Sequence, residues 1–292
     1  MKAYLLPACI LLGFITVAIA QNEAPKPRGE KITLKLNLPK GEKRTLSSEM
    51  EMKRSMTAAG QVFDVSMKMG TTMSVVCLDV DTDGLHTLTL SYDKLRLAML
   101  MGGVPLVDYD STRAENVPNP VTAAIAALVA GELTLKMKPD GSTTSVEGVD
   151  AIAEKAAGNV AGLNIDQLKT QIRAMVKSFE QMGGAYPKVP VDIGDSWISE
   201  MEMTTDPNLP MKIKATYTLH NRKDGVAIIK LDGTITSQAD LKGSVKGDMH
   251  MDEKTGWITG GEMAITLAGK VVDPTAGPVQ VDMTSTVKIT GK

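Results

Sequence analysis

The chain has 292 residues, is 43% hydrophobic but only 3% aromatic, and carries a formal charge of -2. Its acidic and basic residues are interspersed, with no basic block or basic-aromatic stripe, so the charge pattern excludes an electrostatic nucleic-acid binder. The apolar content is ample for a core in a chain of this length.

Lys2 and the apolar run Ala3 to Ala20, closed by Ala18-Ile19-Ala20, have the anatomy of a secretory signal peptide with an A-x-A cleavage site. Pro7 and Gly13 interrupt the run, and the polar, Pro-rich stretch that follows makes a linker of residues 21–30 rather than a membrane anchor. Cys9 precedes most of the apolar run, which argues against lipidation there. Cleavage would leave Cys77 as the only thiol and no intrachain disulfide. Its setting, Val75-Val76-Cys77-Leu78, reads as a buried strand in which cysteine acts as a small hydrophobe. No later apolar run reaches spanning length, so the mature chain is expected to be soluble and exported, to the periplasm or beyond.

Residues 31–292 are expected to form one domain. Ile32, Leu34, Leu36 and Leu38 alternate as one face of a first strand, followed by the Pro39-Lys40-Gly41-Glu42 turn. Strands follow over Leu46 to Met56 and Val62 to Leu78, with a break at Ala58-Ala59-Gly60. Asp81-Thr82-Asp83-Gly84 reads as a tight hairpin turn, and Leu85 to Leu97 continue the β pattern. This first β unit spans 31–113. The middle segment, 114–186, has a short Ala-rich helix over Pro120 to Ala130 and a hairpin turning at Pro139-Asp140-Gly141. An amphipathic helix from Asn164 to Gln181 follows, with Ile165, Leu168, Ile172, Met175, Val176 and Phe179 on one face. A second β unit, 187–292, turns at Asp206-Pro207-Asn208, Lys223-Asp224-Gly225 and Lys254-Thr255-Gly256.

Ser48-Glu49-Met50-Glu51-Met52 recurs as Ser199-Glu200-Met201-Glu202-Met203, each copy shortly after a Gly-containing turn. An internal duplication is expected. The fold class that follows is α+β, mainly antiparallel β: a curved sheet, half-barrel or sandwich from two similar β units, with the central helix packed on one face.

Asp108-Tyr109-Asp110-Ser111, the hairpin after Gly131, and Pro187-x-x-Pro190-Val191-x-x-Gly194-Asp195-Ser196-Trp197 carry a further signal. With these landmarks the chain resembles DUF6263, a family of exported bacterial proteins known only as a domain of unknown function. The resemblance covers most of the mature chain. It implies an exported, β-rich architecture and supplies no catalytic residue.

Five Met-x-Met pairs stand out: Met50/Met52, Met67/Met69, Met99/Met101, Met201/Met203 and Met249/Met251. Random placement of the methionines would give about one. A spacing of two puts both thioethers on the same face of a strand. Met50, Met52, Met67, Met69, Met201 and Met203 are therefore candidate cavity-lining residues, because flexible thioethers adapt to irregular apolar surfaces. Thioethers are also soft ligands for Cu(I), which makes Met249-His250-Met251 the candidate metal site. On a regular strand, however, His250 faces away from the two sulfurs.

Other motifs read structurally. Asp79-Val80-Asp81-Thr82-Asp83-Gly84 opens like a calcium loop, but Leu90 stands where the closing Glu is required. Asp108 and Asp110 fit a turn cap better than a carboxylate pair. Asp195 and Trp197 fit a turn followed by a core anchor. No Gly-x-Ser-x-Gly elbow, phosphate loop or His-Glu-x-x-His pattern occurs in the sequence. The leading expectation is a non-enzymatic exported protein, without a cofactor, that binds an apolar small molecule or lipid in a Met- and Leu-lined concavity. A copper-binding protein and a structural or assembly module of the cell envelope are the alternatives.

Overall fold

The computed structural model describes residues 29–113, 120–159, 165, 166, 169, 170, 172, 173, 185–203, 211–237, 239–273 and 277–292. The expected signal peptide, the Asp206 turn and most of the Asn164 to Gln181 helix lie outside these residues. The strands are β1 (Lys43–Ala58), β2 (Gln61–Val80), β3 (His86–Met101), β4 (Val104–Asp110), β5 (Glu132–Met137) and β6 (Thr143–Glu147). They continue as β7 (Ser196–Met203), β8 (Met211–Lys223), β9 (Val226–Ser237), β10 (Asp240–Asp252), β11 (Ile258–Asp273) and β12 (Gly277–Gly291). Two short helices, α1 (Pro120–Val129) and α2 (Val149–Asn159), flank the β5–β6 hairpin. All described ladders are antiparallel and belong to one open sheet of order β6-β5-β3-β2-β1-β12-β11-β10-β9-β8-β7, with β4 on the free part of β3.

Alternation builds the strands. In β1, Leu46, Met50, Met52 and Met56 are buried while Glu49, Glu51 and Lys53 are exposed. In β8, Met211, Ile213, Ala215, Tyr217 and Leu219 are buried between exposed polar residues. One face is thus predominantly apolar and the other predominantly polar. Two-residue turns join several strands, and they need positive φ at both positions: Ala59 and Gly60 have φ of 49° and 78°, Asp224 and Gly225 of 53° and 78°.

The expected first strand is corrected. Leu34, Leu36 and Leu38 are buried between exposed neighbours, as alternation predicts, but the segment joins no ladder beyond one bridge at Ile32. Its backbone bonds go to several hairpin ends instead. Ile32 pairs with Val191 ahead of β7, Leu36 N–H donates to the Pro139 carbonyl in the β5–β6 turn, and Asn37 N–H donates to Thr255 in the β10–β11 turn. Gly41 N–H reaches the Cys77 carbonyl on β2. The segment is a strap across one end of the sheet.

That strap measures curvature. β5 and β7 lie nine ladder steps apart in strand order, which in a flat sheet is roughly 43 Å at about 4.8 Å per step. Yet Ile32 and Leu36, four residues apart, touch the turns beside both strands, and four extended residues reach only about 14 Å. The sheet therefore curls strongly at the strapped end. Glycines supply room for the bend in the β10–β11 ladder. Gly243, Gly247, Gly261 and Gly269 each stand opposite a large residue, respectively Leu267, Met263, Met249 and Leu241. A Cβ on Gly243 or Gly269 would collide with the carbonyl of the neighbouring strand, and Gly269 has φ of 146°.

Helix α1 matches the Ala-rich expectation. The sequence reading missed α2, whose Ile152 and Ala153 are buried and whose Gly148 lead-in has φ of 98°. Of the predicted amphipathic helix, the described residues are helical and Ile172 is buried. Lys169 and Arg173 reach Asp150 of α2 at 3.1 and 3.3 Å.

Candidate functional site

Hairpin register assembles the methionines. The Ala59-Gly60 turn pairs Ala58 with Gln61, and counting back puts Met50 opposite Met69 and Met52 opposite Met67. The next ladder sets Met67 opposite Met99 and Met69 opposite Leu97. Three of the five Met-x-Met pairs therefore meet on three adjacent strands, on the apolar face. Met50, Met52, Met67 and Met99 are buried, and Met69 and Met101 are partly so. Across β12 and β11 the two rows continue as Ser285 and Ile265, and as Val287 and Met263.

The remaining pairs lie elsewhere. Met201 and Met203 sit on the edge strand β7, opposite Ile213 and Met211, so the second Ser-Glu-Met-Glu-Met copy occupies an edge where the first is central. Met201 is partly buried against the core. Met249 and Met251 are buried on the apolar face, while His250 is 40% exposed with Nε2 3.4 Å from Asp248. The structure thus separates the imidazole from both sulfurs, although a bulge falls between His250 and Met251. Among the described residues, no three His, Cys, Asp or Glu side chains gather as a metal-binding group.

The polar motifs are occupied structurally. Asp81 accepts from the backbone N–H groups of Asp83 and Leu85, and Asp79 pairs with Lys40 at 2.8 Å. Asp110 accepts from Thr112 N–H and its hydroxyl and lies 2.9 Å from Arg96, while Asp108 takes Arg113. The Thr112 hydrogen bonds hold the Asp110 carboxyl below the usual range, with Arg96 and Arg113 adding to them. Asp195 accepts from Asp192 N–H, and Trp197 stacks on Tyr217 at 5.8 Å. Cys77 is fully buried under the strap, with Sγ 3.5 Å from the Leu38 carbonyl, and burial pushes its pKa up. Such a thiol is a poor nucleophile.

Two residues of the apolar face were not among the cavity-lining candidates read from the sequence. Met99, read in the sequence only as half of a Met-x-Met pair, belongs to the thioether patch, and the bulges between it and the β2–β3 turn hide that register from counting. Arg54 occupies an inward position between Met52 and Met56, opposite Val65 on β2 and Met283 on β12. A strict count of alternate residues along β1 points to it.

A groove of about 520 Å³ runs across β2, β1, β12, β11 and β10. Its lining combines polar-face residues such as Lys53, Lys242 and Asp282 with Arg54, Val65 and Met283 from the apolar set. Met50, Met52, Met67, Met69 and Met99 do not line it.

No described helix is long and apolar enough to cross a membrane. A comparison with curated proteins finds no match. Among solved structures, one of lipovitellin, described for its lipid-protein interactions, superposes with a TM-score of 0.55 at 9% identity. The match covers 88% of this chain and 25% of that one, so this chain spans about a quarter of it. At that identity the likeness shows a shared fold alone. The Pseudomonas aeruginosa protein OccK7 (OpdD) aligns over 86% of this chain and 99% of its own at 9% identity, with a TM-score of 0.21. A DUF1329 family protein from Desulfovibrio piger aligns over 84% and 83% at 11% identity, with a TM-score of 0.14. Scores that low carry no argument. The family model for DUF6263 matches residues 83–258, more than half of the sequence, and the chain belongs to that family of unknown function.

Proposed function

We propose that this is an exported, non-enzymatic protein that holds an apolar ligand of the lipid class against the methionine-lined face of its sheet. The observation that carries the reading is the register of Met50, Met52, Met67, Met69 and Met99 into one patch on three neighbouring strands. Thioethers are unbranched and polarizable, so such a patch can repack around chains of different length where branched aliphatics would not. The ladder order adds support: β6 and β7 are the two ends of an open sheet, and no ladder between them has to break for the apolar face to admit a ligand. The shared fold with lipovitellin is consistent with this use. Export rests on Lys2, the apolar run and Ala18-Ile19-Ala20. Absence of catalysis is supported by Asp81, Asp110 and Asp195, whose carboxylates are engaged in turns.

Native mass spectrometry of the exported protein, purified without detergent, tests this. The expected result is a population heavier than the bare chain by a lipid mass, lost on organic extraction and restored by incubation with lipid. A bare mass throughout, with no uptake of added lipid, contradicts the reading. A copper increment that disappears when Met249 and Met251 become Leu would replace it with the metal-handling alternative.

A further inference from the structure

We propose that Arg54 is the head-group anchor of the apolar face, and that the ligand is a single-chain amphiphile with an anionic carboxylate or phosphate head. The proposal rests on the apolar-ligand reading above and deepens it.

Arg54 stands in the register row Met101–Val65–Arg54–Met283–Leu267, an otherwise apolar row across five strands. It is half-buried, and its Nε is fully buried without a hydrogen-bond partner. Every other described arginine has a carboxylate: Arg44 has Glu42, Arg96 has Asp110, Arg113 has Asp108, Arg173 has Asp150 and Arg222 has Glu253. Among the described residues, Arg54 has none. The nearest carboxylates in register, Asp64 and Asp282, both pair with Ser55, are exposed, and belong to the polar face.

A guanidinium on an apolar surface costs free energy unless its donors are met. Its planar fork suits a carboxylate or phosphate, which would accept two parallel hydrogen bonds. Position agrees with that role. The rows on either side of it hold buried residues, Met52, Met67 and Met99 toward the strap and Met56 and Val281 beyond, whereas Met101 and Met283 beside Arg54 are partly exposed. Arg54 also lines the groove of about 520 Å³, with Val65 and Met283 of its own row, so solvent reaches its side chain there. An acyl chain would lie along the thioethers toward the strap while its charged end stays at Arg54.

The test compares palmitate, hexadecyl phosphate and the uncharged methyl palmitate, each below its aggregation concentration, by competition against a fluorescent acyl probe at pH 8. The wild type should bind both anions more tightly than the ester by about tenfold or more, the scale of charge-assisted hydrogen bonds. Arg54→Met should reduce the anions to the ester's affinity and leave the ester unchanged; Arg54→Lys should keep a preference for the anions. Retained thermal unfolding shows each variant is folded, and Arg54→Gln serves if Arg54→Met is not. Equal binding of anions and ester by the wild type, or a preference that survives Arg54→Met and Arg54→Gln, overturns the anchor while leaving the apolar reading intact. No binding of any probe overturns both. A preference confined to palmitate or to hexadecyl phosphate assigns the head as carboxylate or phosphate.

Discussion

The two halves of the sheet solve opposite problems on the same face. In β1–β3 the inward rows carry methionines, stacked strand to strand through Met50/Met69 and Met52/Met67/Met99. In β10–β11 the corresponding rows alternate glycine with Leu or Met, and the glycines stand where a Cβ would strike the adjacent backbone. The first region is soft in its side chains, and its register is unbroken through the methionine rows, with bulges only further along β2. The second is fixed in its side chains and bent in its backbone. Curvature and adaptability are thus assigned to different strands, so a ligand could repack one region without unbending the other.

Replacing a bend glycine should hurt most. Gly269→Ala would place a methyl group against the Asp240 carbonyl at a φ of 146°, and a loss of about 3 kcal/mol is expected in urea unfolding. A change below about 0.5 kcal/mol would mean that the bend does not depend on that glycine. On the other half, Met67→Leu should cost less than about 1.5 kcal/mol, because volume is nearly conserved, while the affinity series across acyl-chain lengths should narrow. A stability loss as large as that of Gly269→Ala would contradict the contrast between a soft and a rigid region.

A smaller effect bears on the strapped end that both halves share. His86 is 2% exposed, lies near the Leu38 and Gly84 carbonyls, and has no hydrogen bond of ordinary geometry from either ring nitrogen. Burial lowers its pKa in the folded state. Below the unfolded value of about 6.5, the unfolded chain binds the proton and the folded one does not. Stability present above that pH is therefore lost progressively as pH falls toward the folded pKa. Melting temperatures between pH 7.5 and 5.5 should fall more for wild type than for His86→Gln. Parallel curves would show that His86 is not the titrating group.

Much of this was legible in the sequence. A period of two in Leu46 to Met56 announced strand and face together, and Asp-Gly pairs marked the hairpins. The methionine patch was one step further, since a two-residue turn at Ala59-Gly60 fixes the β1–β2 register by counting. Bulges between Thr72 and Met73 and between Cys77 and Asp79 break such counting in β2–β3. The strap was beyond reach for a different reason: alternation in Leu34, Leu36 and Leu38 reports burial but not which groups accept the backbone hydrogen bonds. The pairing of β1 with β12 joins distant parts of the chain, and no local signal encodes it.

The most direct test of the account uses palmitate carrying a photoreactive diazirine near the chain terminus, crosslinked to the native protein and mapped by peptide mass spectrometry. Adducts should concentrate on β1–β3 peptides at Met50, Met52, Met67, Met69, Leu97 and Met99, and unlabelled palmitate should suppress them. Adducts on the polar-face residues Lys53, Lys242 and Asp282, or labelling that unlabelled palmitate does not reduce, would contradict a ligand site on the apolar face.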